Sequence, residues 1–123
     1  MDLSSLVVSA TSGLTIKAPV TGVDTDIVIT LCGKDSDEYR AAYTVMVKAI
    51  SANPNQSNAE FAKLDAAVFA ACVVEWVNLD LDGDPLECTP ENVLRLFNDN
   101  RFRWLHEQVI EFVGDRVNFM QPS

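Results

Sequence analysis

Histidine, thiol pairs, positive charge and long apolar runs are all scarce in this chain, and each scarcity closes off a class of function. His106 is the only histidine. There is no Gly-x-Ser-x-Gly elbow, no His-Glu-x-x-His helix and no Gly-x-Gly-x-x-Gly turn, which removes the hydrolase, zinc-protease and dinucleotide sites those patterns build. A Cys–His pair with Cys72 or Cys88 has no support in the local sequence; a lone helical histidine is most often a packing or surface residue. Cys32, Cys72 and Cys88 are odd in number and lack Cys-x-x-Cys spacing. They read as reduced thiols, two of them packed, and not as a disulfide framework. No apolar run approaches the roughly 20 residues that cross a bilayer. Met1-Asp2-Leu3-Ser4-Ser5 sets an acid where a secretory signal carries positive charge, so the expectation is a protein that is not exported. Without export, the Asn55-Gln56-Ser57 acceptor triplet carries no meaning.

Nine Lys and Arg face eighteen Asp and Glu, a net charge of −9. A phosphate backbone would be repelled, so nucleic acid is not an expected partner. The imbalance is local. Glu75, Asp80, Asp82, Asp84, Glu87 and Glu91 follow one another with no Lys or Arg between them, whereas the signs balance from Arg95 to Arg116. Such a patch either steers a basic partner or is a solvated loop.

Two short segments imitate ligand sites. Gly33-Lys34-Asp35-Ser36 looks like the end of a phosphate loop, but Val28 stands where the first glycine belongs and Asp35 would repel phosphate. Asp80, Asp82, Asp84 and Glu91 fall at positions 1, 3, 5 and 12 of a calcium loop, with Pro85 where the turn needs glycine. The simpler reading is an acidic turn leading into a capped helix.

What is present is a chain of 123 residues, 48% hydrophobic, enough for one domain with a core. Leu14–Lys17 and Ile27–Cys32 are rich in β-branched residues and read as antiparallel strands joined by the turn-prone Pro19–Asp24. Leu6-Val7-Val8 suggests a short third strand. Asp35 with Glu38 forms a capping box for a first helix with Tyr39, Tyr43, Met46 and Ile50 inward, ended at Asn53-Pro54-Asn55. Ser57 with Glu60 starts a second, where Phe61, Leu64, Val68, Cys72 and Trp76 recur at helical spacing; its alanines make it the central buried helix. Thr89-Pro90-Glu91 opens a third, broken at Asn98-Asp99-Asn100. A last helix carries Phe102, Leu105, Val109 and Phe112 inward to Gly114. The fold class is α+β: an N-terminal antiparallel β-hairpin (residues 1–34), about four helices (35–114) and a C-terminal tail (115–123).

Most aromatics lie on inner faces. Trp104, off the last helix's stripe, and Phe119-Met120, beyond its cap, are surplus apolar groups suited to partner binding.

Two segments resemble a known family. The strand-to-helix junction Ile27-Val28-Ile29-Thr30-Leu31-Cys32-Gly33-Lys34-Asp35-Ser36-Asp37-Glu38-Tyr39-Arg40 resembles the N-terminal region of tail assembly chaperones of long-tailed phages. Pro90–Leu94, Arg103-Trp104-Leu105 and Phe112-Val113-Gly114-Asp115-Arg116-Val117-Asn118-Phe119 look like that family's C-terminal region. The resemblance implies a non-enzymatic protein without a cofactor. It would coat the helical tape measure protein before the tail tube polymerises, with the tail tube protein and further copies of the chain as additional partners. It would act in the host cytoplasm and be absent from the finished virion. With the preceding reading it marks Trp104, Asp115, Arg116, Phe119 and Met120 as partner-binding residues. A small structural virion protein of the tail or head–tail connector is the alternative, ahead of a calcium-dependent or Cys–His enzyme.

Overall fold

Alternation of β-branched residues decides the first third of the chain. In the computed structural model, which describes residues 1–120, β1 (Ser12–Lys17) and β2 (Asp24–Leu31) form the expected antiparallel hairpin. Ile16, Ile29 and Leu31 lie fully buried on its inner face. The turn closes through the Ala18 N–H, which donates to the Val23 carbonyl at 2.8 Å, with Gly22 at φ +72°, a conformation glycine adopts without steric cost.

The chain then leaves the sheet in two helices, α1 (Asp37–Ala52) and α2 (Asn58–Ala70). Ser36, not Asp35, caps α1: its hydroxyl accepts from the Tyr39 N–H at 3.1 Å, and Asp35 is engaged elsewhere. Ser57 caps α2 as expected, accepting from the Glu60 N–H at 3.1 Å.

The largest difference from the sequence reading lies at the end of α2. Cys72 and Trp76 do not continue the helix. Val73–Val77 is a strand, β3, paired antiparallel to β2 with Ile29 opposite Trp76 and Thr30 opposite Glu75. The spacing misleads because Val68 to Cys72 is about one helical turn and Trp76 falls one more turn on, yet the helix ends at Ala70 and a bulge in β3 sets Val73 and Trp76 opposite Leu31 and Ile29. Val73, Val74 and Val77 suit the pleat, and β3 pairs the second edge of β2. The hairpin is therefore part of a three-stranded sheet ordered β1-β2-β3.

After β3, β4 (Asp80–Leu81) and β5 (Asp84–Pro85) make a minimal hairpin turning on Asp82 and Gly83, both at positive φ (54° and 87°). That is the geometry Asp-Gly favours. The Trp76 indole N–H fastens this hairpin by donating to the Leu86 carbonyl at 2.7 Å. α3 (Pro90–Phe97) begins as read, with the Thr89 hydroxyl accepting from the Asn92 N–H and Pro90 at its first position.

α2, which buries Ala66, Val68 and Phe69 and packs on α1, α3 and α4, shares the centre of the fold with α4 (Arg103–Gly114). α4 buries Leu105, His106, Val109 and Val113 and touches β1, α2 and α3. Its Gln108 amide docks on the β1 edge, accepting from the Lys17 N–H and donating to the Lys17 carbonyl, each at 2.9 Å. Leu6-Val7-Val8 does not form a strand; only Val8 makes a bridge, to Met120. Residues 115–120 are not a tail, because Arg116–Phe119 is a 3-10 turn packed on the body; residues 121–123 lie outside the described part. Among the described residues no helix is long and apolar enough to cross a membrane.

Candidate polypeptide-binding surface

The five residues marked as partner-binding all make contacts within the fold, with Asp115 and Arg116 still exposed. Phe119 is 1% exposed, its ring over Gly33 and edge-on to Phe112 at 5.4 Å. Met120 is half-buried against the N-terminal segment through Val8. Arg116 holds Asp35 with two hydrogen bonds, Nε to Oδ2 at 2.6 Å and Nη2 to Oδ1 at 2.9 Å. Those bonds keep the Asp35 carboxyl below its ordinary pKa. Asp115 caps the last turn by accepting from the Val117 N–H at 3.1 Å. Trp104 is half-buried beside the core, and its indole N–H donates to the Arg101 carbonyl at 3.1 Å. Asp115 and Arg116 share a cleft of about 780 Å³ between β1 and α4, lined also by Lys17, Lys34, Gln108 and Glu111; Trp104 is not part of it.

His106 lies 5% exposed, stacked on Phe97 at 4.8 Å and edge-on to Phe69 at 6.0 Å. Burial lowers its pKa, and among the described residues its Nε2 has no hydrogen-bond partner. The groove beside it is lined by Asn58, Asp65, Phe97 and Arg103 among others, with no cysteine. Cys32 and Cys72 are buried neighbours joined by a backbone hydrogen bond, Cys32 N–H to Cys72 carbonyl at 2.8 Å. Burial pushes the Cys72 thiol up to about 12, which makes it a poor nucleophile. Among the described residues no group of three or more His, Cys, Asp or Glu side chains could hold a metal ion.

Exposed apolar side chains lie on the N-terminal segment, at Leu3, Leu6 and Val7, and on α1, whose Tyr43 was expected to point inward. None of the sixteen residues of α1 is buried. Tyr39 packs edge-on against Phe69 and Met46 touches the core, but Tyr43 is 46% exposed, and Val45, Val47 and, on α2, Phe61 are exposed as well. Helices in globular proteins owe most of their stability to an apolar face packed on a neighbour, and α1 packs chiefly on α2. Val45 and Val47 were the available signal: two β-branched apolar residues standing off the Tyr39–Tyr43–Met46–Ile50 stripe. Val74 and Leu94 are also exposed and line one groove between β3 and α3.

No protein-family model matches the chain, and neither a curated protein nor a solved structure matches it.

Proposed function

We propose that this chain holds another polypeptide, as a tail assembly chaperone that binds the tape measure protein of a long-tailed phage and keeps it from aggregating until the tail tube grows around it. The observation that carries the proposal is α1, a sixteen-residue helix with no buried residue and with Tyr43, Val45 and Val47 turned outward. A helical client offers an apolar stripe that such a face fits, in the manner of helix-on-helix recognition. The charge of −9 keeps a loaded complex dissolved. Many copies along one long client make modest individual affinity sufficient.

The two segments on which the family resemblance rests meet in this fold. Asp35 pairs with Arg116, the Lys34 N–H donates to the Val113 carbonyl at 3.2 Å, and Phe119 covers Gly33. They brace the body, and the holding is assigned to α1. Co-expression with the tape measure protein of the same phage tests the proposal. The expected result is a tape measure protein that stays in the supernatant and copurifies with this chain. A tape measure protein that goes to the pellet whether or not this chain is present would end the proposal.

A further inference from the structure

Residues 2–8 stand out from the body as a short arm. Leu3–Ser5 form a 3-10 turn capped by Asp2, whose Oδ1 accepts from the Ser4 N–H at 2.9 Å, and the Leu6 N–H donates back to the Leu3 carbonyl at 3.0 Å. The arm meets the body at Val8, which bridges to Met120, and at Ser9, whose N–H donates to the Phe119 carbonyl at 2.6 Å. Before that anchor its apolar side chains stand in solvent: Leu3 is 76%, Leu6 50% and Val7 56% exposed. A single short turn is marginal in water unless its apolar side packs on something, and a group of large exposed apolar side chains marks a contact surface.

A receptor of matching character lies on the same chain. Where α2 ends, its alanines, β3 and the start of α3 border a groove of about 380 Å³. Ala67, Ala71, Val74 and Leu94 are exposed along it, and no charged side chain lines it. The arm is nearly as bare of charge, since Asp2 is the one charged side chain from Met1 to Ile16. Two copies of a chain with net charge −9 repel one another, and they can touch at least cost where neither surface carries charge. Arm and groove are also neighbours: Val74 lines both the groove and the cleft that holds Ala10 and Thr11, the root of the arm. The chain's own arm runs instead to Met120 and leaves the groove open.

We infer that the occupant of this groove is the arm of a second copy, with Leu3, Leu6 and Val7 of each chain laid on the exposed alanines of its partner. A two-fold pair uses the same patch on both copies, which the nearness of arm and groove allows, and exchange of a segment with few contacts at home is a low-cost route to a dimer. Such pairing goes beyond the chaperone reading and does not rest on it.

Sedimentation of the full chain at micromolar concentrations tests the pairing. A dimer is expected, tightening as added salt screens the repulsion between copies. The triple substitution Leu3→Ser, Leu6→Ser, Val7→Ser alters exposed arm positions, and Ala67→Glu sets a charge in the groove. Each is expected to raise the dimer dissociation constant at least about tenfold, while the melting temperature of the dilute chain holds. Ala71→Glu takes the place of Ala67→Glu if that variant melts lower. Mixed together, the arm variant and the groove variant should pair again, because their heterodimer keeps one intact arm in one intact groove. A chain that stays monomeric, a dimer indifferent to the substitutions or weakened by salt, a mixture that stays unpaired, or open-ended species larger than dimers would each overturn the inference.

Discussion

The ring of Phe119 fills the space in which a side chain at Gly33 would begin: a Cβ there would stand 2.9 Å from its Cδ2. Gly33→Ala must therefore push that ring or the β2–α1 junction aside. Overpacking of this kind costs about 1–3 kcal/mol, read as a lower denaturation midpoint at unchanged slope. Phe119→Leu should cost stability alone and recover part of the Gly33→Ala loss when the two are combined. Strictly additive losses would show that the two positions are not coupled in this way.

His106 sets an acid limit on stability. Burial depresses its pKa in the folded chain below the ordinary 6.5, against opposing attraction from Asp65 and Glu107 and with Arg103 adding to the depression. The unfolded chain takes up the proton first as pH falls, so stability is complete above about pH 6.5 and declines below it toward the folded value. His106→Phe, which keeps a ring between Phe97 and Phe69, should flatten the melting temperature between pH 7 and about 5. The carboxyls of Asp35 and Asp99 are depressed by their arginine partners. Their contribution is present above about 3.8 and disappears only as pH falls through the folded values, so it leaves the histidine window clear. A wild-type melting temperature that does not change across that window would refute the assignment.

The thiols should differ in reactivity. Cys88 is half-buried, whereas Cys72 is fully buried with its thiol pushed up to about 12. An alkylating reagent at pH 8 should label Cys88 first, with Cys32 and Cys72 reacting only on unfolding. Mass mapping of a short exposure to reagent gives the order, and early label at Cys72 would contradict the burial described.

Substitutions on α1 should separate stability from holding. Val45→Ser and Val47→Ser alter exposed positions, so each is expected to change unfolding free energy by no more than about 0.5 kcal/mol. Together they should sharply reduce the tape measure protein retained on co-purification. Retention equal to wild type would move the holding face off α1.

Much of this fold was legible because local chemistry and tertiary packing agree over most of the chain. The β1–β2 hairpin, the Ser57 and Thr89 caps and the Asp82-Gly83 turn follow from local backbone chemistry, whereas α4 ends at Gly114 without the positive φ of a glycine cap, which Gly22 and Gly83 have. β3 was not legible, since Cys72 and Trp76 extend the helical stripe of α2 and only pairing with the second edge of β2, through a bulge, turns Val73–Val77 into a strand. The candidate site was less legible still. Phe119 looked surplus because it follows a helix cap, and nothing local records that Gly33 leaves room for its ring. The Tyr39–Tyr43–Met46–Ile50 stripe marks an apolar face correctly without revealing how little of the body lies opposite it.

The Cys32–Cys72 backbone bond joins the two points at which the chain departs from the sheet and comes back to it. The excursion from Lys34 to Ala71 is inserted between neighbouring strands and enters and leaves at one doorway, with Ala66, Val68 and Phe69 returning to the core. The tip of such an excursion can be shortened, lengthened or exchanged by whole helical turns while the register of β2 against β3 is kept.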